Sequence, residues 1–101
     1  DLDQALSLVQ RAQQRSPNDP NISDTLGLIY IRKKLTGQAV LLFQSLVSRV
    51  PNNAAFHLHL AMALYDKGDK SQAKKELEAA QKYKPSAGEM AKIRELVARI
   101  G

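Results

Sequence analysis

The chain has 101 residues, of which 44% are hydrophobic and 25% charged, and it contains no cysteine. This length fits one domain with a modest core, and the lack of cysteine excludes disulfides and thiolate metal sites. The formal net charge of +5 is spread along the chain without a basic tail, and no apolar run approaches the roughly 18 residues that span a membrane.

The first predicted helix covers residues 2–16, where the small and apolar residues Ala5, Val9 and Ala12 follow helical spacing. These three positions recur later in the chain, each time in the second helix of a predicted hairpin. We therefore expect this helix to be the second half of a hairpin, and the chain to be a fragment or the C-terminal end of a longer repeat array.

The next predicted hairpin covers residues 20–51. Its first helix begins after Asp19, a good N-cap, with Pro20 at the first helical position, where a missing N–H costs nothing. Its second helix begins near Gln38. Pro51 ends that helix, because proline excludes the helical conformation from the residue before it.

A further hairpin is predicted over residues 53–85, with Asn53 as the N-cap of its first helix. Gly68 can adopt the left-handed geometry that ends a helix, and Asp69 or Ser71 could cap the helix that follows. Residues 87–100 form one more amphipathic helix, which we expect to act as a solvating cap of the array.

The hairpins repeat at a fixed step of 34 residues, and each aligned position keeps side-chain size and apolarity. Agreement at one position could be chance, but agreement at six positions with the same step is not. The aligned sets are Pro17, Pro51 and Pro85; Ala5, Ala39 and Ala73; Val9, Phe43 and Leu77; Ala12, Leu46 and Ala80; Leu26 and Leu60; Gly27 and Ala61.

This pattern resembles the tetratricopeptide repeat. The residues that carry the resemblance are Leu26, Gly27, Tyr30, Ala39, Phe43 and Pro51, then Leu60, Ala61, Gly68, Ala73, Leu77, Ala80 and Pro85. The resemblance implies an all-α, right-handed α-α superhelix. It divides a single domain, 1–101, into an incomplete repeat at 2–16, two repeats at 20–51 and 53–85, and a capping helix at 87–100.

The sequence departs from the family pattern at a few positions. Ser23 and His57 stand where a large apolar residue is usual, Lys34 replaces the glycine found at Gly68, and Leu64 takes a tyrosine position. The run that begins with Asn18-Asp19-Pro20 is similar to bacterial members of the family from envelope and secretion systems, but it indicates no compartment.

The resemblance also implies a function. In this family the first helix of each repeat lines a concave groove that binds a peptide or helix of another protein. By position, the groove residues are Asp24, Leu28, Ile31, Arg32, Leu58, His59, Met62, Tyr65 and Lys92. Several of them are more apolar than a free surface requires, and apolar patches with a polar rim usually mark interaction sites.

Two alternatives to partner binding remain open. The apolar groove residues could simply pack on neighbouring helices, which would make the chain a structural spacer of a longer array without its own ligand. The uncovered first helix, with Leu2, Leu6, Leu8 and Val9, could instead mediate self-association into a homo-oligomer.

Other functions have little support in the sequence. His57 and His59 are two residues apart on a helix, so they point to nearly opposite sides and cannot share a metal. Glu76 and Glu78 are expected on an exposed face among lysines, without the desolvation that acid–base catalysis needs. An aromatic content of 5% is sparse for stacking on bases, which disfavours nucleic-acid binding. We expect no enzyme activity and no cofactor.

Overall fold

The computed structural model describes residues 1–101 as six α-helices joined by short turns, without any strand. The helices are α1 (Leu2–Arg15), α2 (Pro20–Arg32), α3 (Thr36–Arg49), α4 (Ala54–Lys67), α5 (Lys70–Lys82) and α6 (Ala87–Ile100). The predicted all-α class is confirmed. One boundary differs, because α3 begins at Thr36 rather than near Gln38.

Side-chain caps define where most of the helices begin. The Asp19 carboxylate accepts a hydrogen bond from the Asn21 backbone N–H at 2.9 Å, and the Asn53 side chain accepts one from Phe56 N–H at 3.0 Å. Of the two caps proposed for α5, Asp69 is the one used. These bonds satisfy backbone donors that the first helical turn leaves free.

Left-handed backbone ends the first helix of both full repeats. Gly68 follows α4 with φ +95°, a conformation that costs glycine little. Lys34 lies 34 residues earlier and also has positive φ, at +65°, although it carries a side chain. The turn geometry of the repeat is therefore kept even where the sequence lacks the residue that favours it.

The helices form two layers. Consecutive helices pack against one another, and α2 also packs against α4, and α4 against α6. The helices α1, α3 and α5 make no such contacts among themselves. The first helices of the repeats thus form a closely packed inner layer, and the second helices form an outer layer.

The core lies between these layers and is built from the repeating positions. Ala39, Phe43, Leu46, Ala61, Ala73, Leu77, Ala80 and Ile93 are all at most 1% exposed. By contrast, no residue of α1 is fully buried. Its attachment to α2 includes an exposed ion pair between Lys33 and Asp3, whose hydrogen bond and charge hold the pKa of Asp3 below its ordinary value.

Gly27 is required by a close approach between α2 and α3. A Cβ atom at Gly27 would lie against the Phe43 ring, 2.6 Å from Cε1 and 2.9 Å from Cε2. In the next repeat, Ala61 takes the position of Gly27 and Leu77 that of Phe43, so the first residue is larger and the second smaller. The two repeats thus divide a similar volume differently.

This complementarity predicts that Gly27→Ala destabilises the protein by about 1–3 kcal/mol through overpacking. Combining it with Phe43→Leu, which copies the pair of the next repeat, should recover part of that loss. The free energy of unfolding in urea measures both effects. A double variant no more stable than the sum of the two single losses would contradict the argument.

Candidate functional site

The inner layer contains an open cavity of about 200 Å³ at its C-terminal end. Its apolar lining comes from all three inner helices: Ile31 of α2, Met62 and Tyr65 of α4, and Leu96 of α6. Its charged lining consists of Asp66, Lys92, Glu95 and Arg99. We call this the groove cavity.

The structure brings four of the predicted groove residues together in this cavity. Ile31, Met62 and Tyr65 are half-buried against the core, and Lys92 is exposed at the rim. Leu28 is half-buried and also packs on the core. Arg32 is exposed on α2 but does not line the cavity.

Leu58 requires a correction. It was expected on the groove surface, but it is only 3% exposed and belongs to the core. The reason is that α4 packs against helices on both sides of the inner layer and buries eight of its residues. Leu58 therefore stabilises the wall of the groove and is not available to a partner.

Asp24 and His59, also predicted for the groove, pair with each other. The Asp24 carboxylate lies 2.7 Å from Nδ1 of His59 and links α2 to α4 across 35 residues of sequence. Both side chains are largely covered, with 15% and 17% exposed. This pair joins two walls of the inner layer, and it lies away from the groove cavity.

Glu95 and Arg99 were not among the predicted groove residues. The signal that would have found Arg99 is the repeat itself, because Ile31, Tyr65 and Arg99 are separated by 34 residues each. The same step relates Leu28, Met62 and Leu96. Glu95 was instead interpreted as part of a solvating cap, and it accepts a hydrogen bond from Arg99 at 2.9 Å.

The structure also corrects the expectation that Glu76 lies on an exposed helix face among lysines. Its side chain is 22% exposed, and Oε1 lies 2.8 Å from Nδ1 of the buried His57. Nε2 of His57 lies 2.6 Å from the Pro51 carbonyl, and the His57 ring stacks on Tyr83. Both ring nitrogens of His57 thus lie within hydrogen-bonding distance of an oxygen atom.

These contacts tie α4 to α5 and to the turn before α4. They do so at a position where the tetratricopeptide pattern usually has an apolar side chain. His57 and His59 have separate partners, and no group of three or more histidine, cysteine or acidic side chains is placed to hold a metal ion. None of the six helices combines the length and apolarity needed to cross a membrane.

Two stacked helical layers, with an open cavity on the inner one, define a helical-repeat protein. The family model of the tetratricopeptide repeat matches residues 30–100, which is more than half of the chain. The chain therefore belongs to the tetratricopeptide repeat family.

Two solved structures share the fold of this chain. MamA AMB-1 superposes with a TM-score of 0.74 at 23% sequence identity, over 97% of this chain and 52% of its own. MamA MSR-1 gives a TM-score of 0.69 at 20% identity, over 99% of this chain and 70% of its own. This chain thus spans about half the length of MamA AMB-1. No curated protein matches the chain by sequence.

The pairing of His57 with Glu76 predicts a coupled effect on stability. His57→Leu leaves the Glu76 carboxylate without its partner and should cost about 1–3 kcal/mol. Changing both residues to leucine removes both polar groups and should cost less than the two single changes together. A double-mutant cycle of urea unfolding measures the coupling, which we expect at roughly 0.5–3 kcal/mol. Strictly additive losses would show that the two side chains act independently.

Proposed function

We propose that this chain is a protein-interaction module that holds a segment of a partner protein on the concave side of its inner layer. The observation that carries this proposal is the groove cavity. Apolar side chains from three separate helices line it at one place, those of α2 and α4 partly exposed, and charged groups surround them. An apolar patch with a polar rim is the common form of a protein-binding site.

Membership of the tetratricopeptide repeat family supports this role, because such repeats generally act as interaction and scaffold modules rather than enzymes. The rigidity of the site supports it as well. Each wall of the cavity belongs to a regular helix whose opposite side is packed into the core. A site on rigid elements loses little conformational freedom on binding, so more of the contact energy remains as affinity.

The alternative that the groove is filled by its own side chains applies to only part of the inner layer. Leu58 is buried, Leu28 packs on the core, and the pairing of Asp24 with His59 links the walls. The cavity around Met62 is different, because it is open and no side chain of the chain fills it. We therefore assign partner binding to the C-terminal half of the groove.

The proposal predicts that Met62→Glu abolishes partner capture, because a carboxylate would be desolvated by an apolar ligand. Leu41→Glu is the matched control, since Leu41 lies on the outer helix α3 and is 69% exposed. We expect proteins captured by the wild type to be lost from Met62→Glu and retained by Leu41→Glu, with helical content unchanged by circular dichroism. Quantitative mass spectrometry of the captured proteins, followed by calorimetric titration of each candidate, makes the comparison.

Equal capture by all three proteins would overturn the groove assignment and favour a spacer role. Loss of capture by both variants would place the binding surface elsewhere.

One observation favours self-association as a second function. Besides having no fully buried residue, α1 forms with α2 an open cleft of about 210 Å³, lined by Val9, Ala12, Ile22, Asn21 and Thr25. Three of these side chains are small or apolar residues of the kind that the other hairpins bury. We propose that this edge packs against a helix of a second copy.

The self-association proposal predicts a concentration-dependent increase in sedimentation coefficient for the wild type. Val9→Glu should remove that increase, because it places a charge in the apolar cleft. Met62→Glu serves as the control and should associate like the wild type. A wild type that stays monomeric at high concentration would contradict this second proposal and leave the groove assignment untouched.

A further inference from the structure

The charged groups around the groove cavity are not equivalent. Lys92, Glu95 and Arg99 all belong to α6, where Glu95 lies 2.9 Å from Arg99 and 3.8 Å from Lys92. Asp66 belongs to α4 on the other side of the cavity and forms no ion pair. Asp66 is therefore the one charge in the lining without a counter-charge from the protein itself.

The lining of the cavity contains two acidic and two basic side chains, so its net charge favours neither cations nor anions. The uneven arrangement of these charges would instead orient a ligand. A cation placed on the α4 side gains the free carboxylate of Asp66, whereas an anion there is repelled by it. On the α6 side, both cations already share a carboxylate.

The volume of the cavity limits what enters it. A cavity of about 150 Å³ with apolar walls accepts a benzene molecule. At about 200 Å³, the groove cavity has room for one large apolar side chain but not for a helix. Met62 can adapt to such a group, and the Tyr65 ring can pack against an aromatic ring.

From these observations we propose that the groove cavity binds one aromatic side chain of a partner segment, and that a lysine or arginine next to it in the partner pairs with Asp66. This inference rests on the proposed function and deepens it by naming the chemistry of the partner. The apolar anchor provides most of the affinity, and the cation selects the direction in which the segment lies.

Three capped tetrapeptides test the anchor and the charge separately: acetyl-Gly-Phe-Lys-Gly-amide, acetyl-Gly-Ala-Lys-Gly-amide and acetyl-Gly-Phe-Glu-Gly-amide. Each is titrated into the isotope-labelled protein while the NMR methyl signals of Ile31, Met62 and Leu96 are followed. We expect the Phe-Lys peptide to shift these signals. Replacing Phe by Ala should weaken binding roughly 10- to 100-fold, the value of burying one large apolar side chain. Replacing Lys by Glu should weaken it about two- to fivefold, as for an exposed ion pair.

Matched variants locate the anchor. Ile31→Phe fills the groove cavity from within and should abolish the shifts at Met62 and Leu96. Ile22→Phe makes the same change at the other end of α2, in the α1–α2 cleft of similar size, and should leave peptide binding intact. Asp66→Lys should reverse the preference between the Lys and Glu peptides.

Several outcomes would overturn this inference. Among them are tighter binding of the Glu peptide to the wild type, equal binding of the Ala peptide, and full binding to Ile31→Phe. The absence of any shift at the cavity would overturn it as well. None of these results decides the proposed function, which the capture comparison tests separately. If capture is lost in Met62→Glu and kept in Leu41→Glu, the groove still binds a partner, but one of different chemistry. Failure of that capture comparison, with the peptide results intact, would instead contradict the proposed function alone.

Discussion

The structure depends on the close approach of helices through small residues placed every 34 positions. Ala39, Ala61, Ala73 and Ala80 have no exposed surface, and Gly27 lacks even a Cβ because the Phe43 ring occupies that space. Protein interiors are packed so densely that one added methyl group at such a contact strains the surrounding core. The constant step makes each hairpin present the same shape to the next, so the stacking that buries the core also sets the inner layer that carries the site.

Within that stack, polar contacts act as specific links rather than as the main source of stability. Asp24 connects the inner helices of two repeats through His59, and His57 connects an inner helix to its outer partner through Glu76. Both histidines lie in α4, the helix with the largest number of buried residues. Because α4 packs against helices on both sides of the inner layer, its buried polar groups must find partners within the protein. The groove cavity lies where this packing ends, between the last turns of α2 and α4 and the side of α6.

Much of this architecture follows from the sequence, and the exceptions have physical causes. The caps at Asp19 and Asn53 and the turn at Gly68 were predictable because each depends on residues close in sequence. The core positions were predictable because the repeat shows them more than once.

The burial of Leu58 was not predictable from the sequence, since it depends on how tightly neighbouring repeats flank α4. The pairing of Asp24 with His59 was missed for the same reason, because the relative rotation of two repeats is not visible in either repeat alone. Arg99 was overlooked although the step from Tyr65 points to it.

The lack of any fully buried residue in α1 has a consequence for how the molecule behaves as a whole. Local opening needs least energy where few side chains are buried, so we expect the largest opening fluctuations of this chain at α1. The groove cavity lies at the opposite end of the inner layer, and no residue of α1 lines it. Fluctuations of the first helix can therefore leave the groove cavity intact, and any molecule that covers α1 raises the protection of that end without having to touch the cavity.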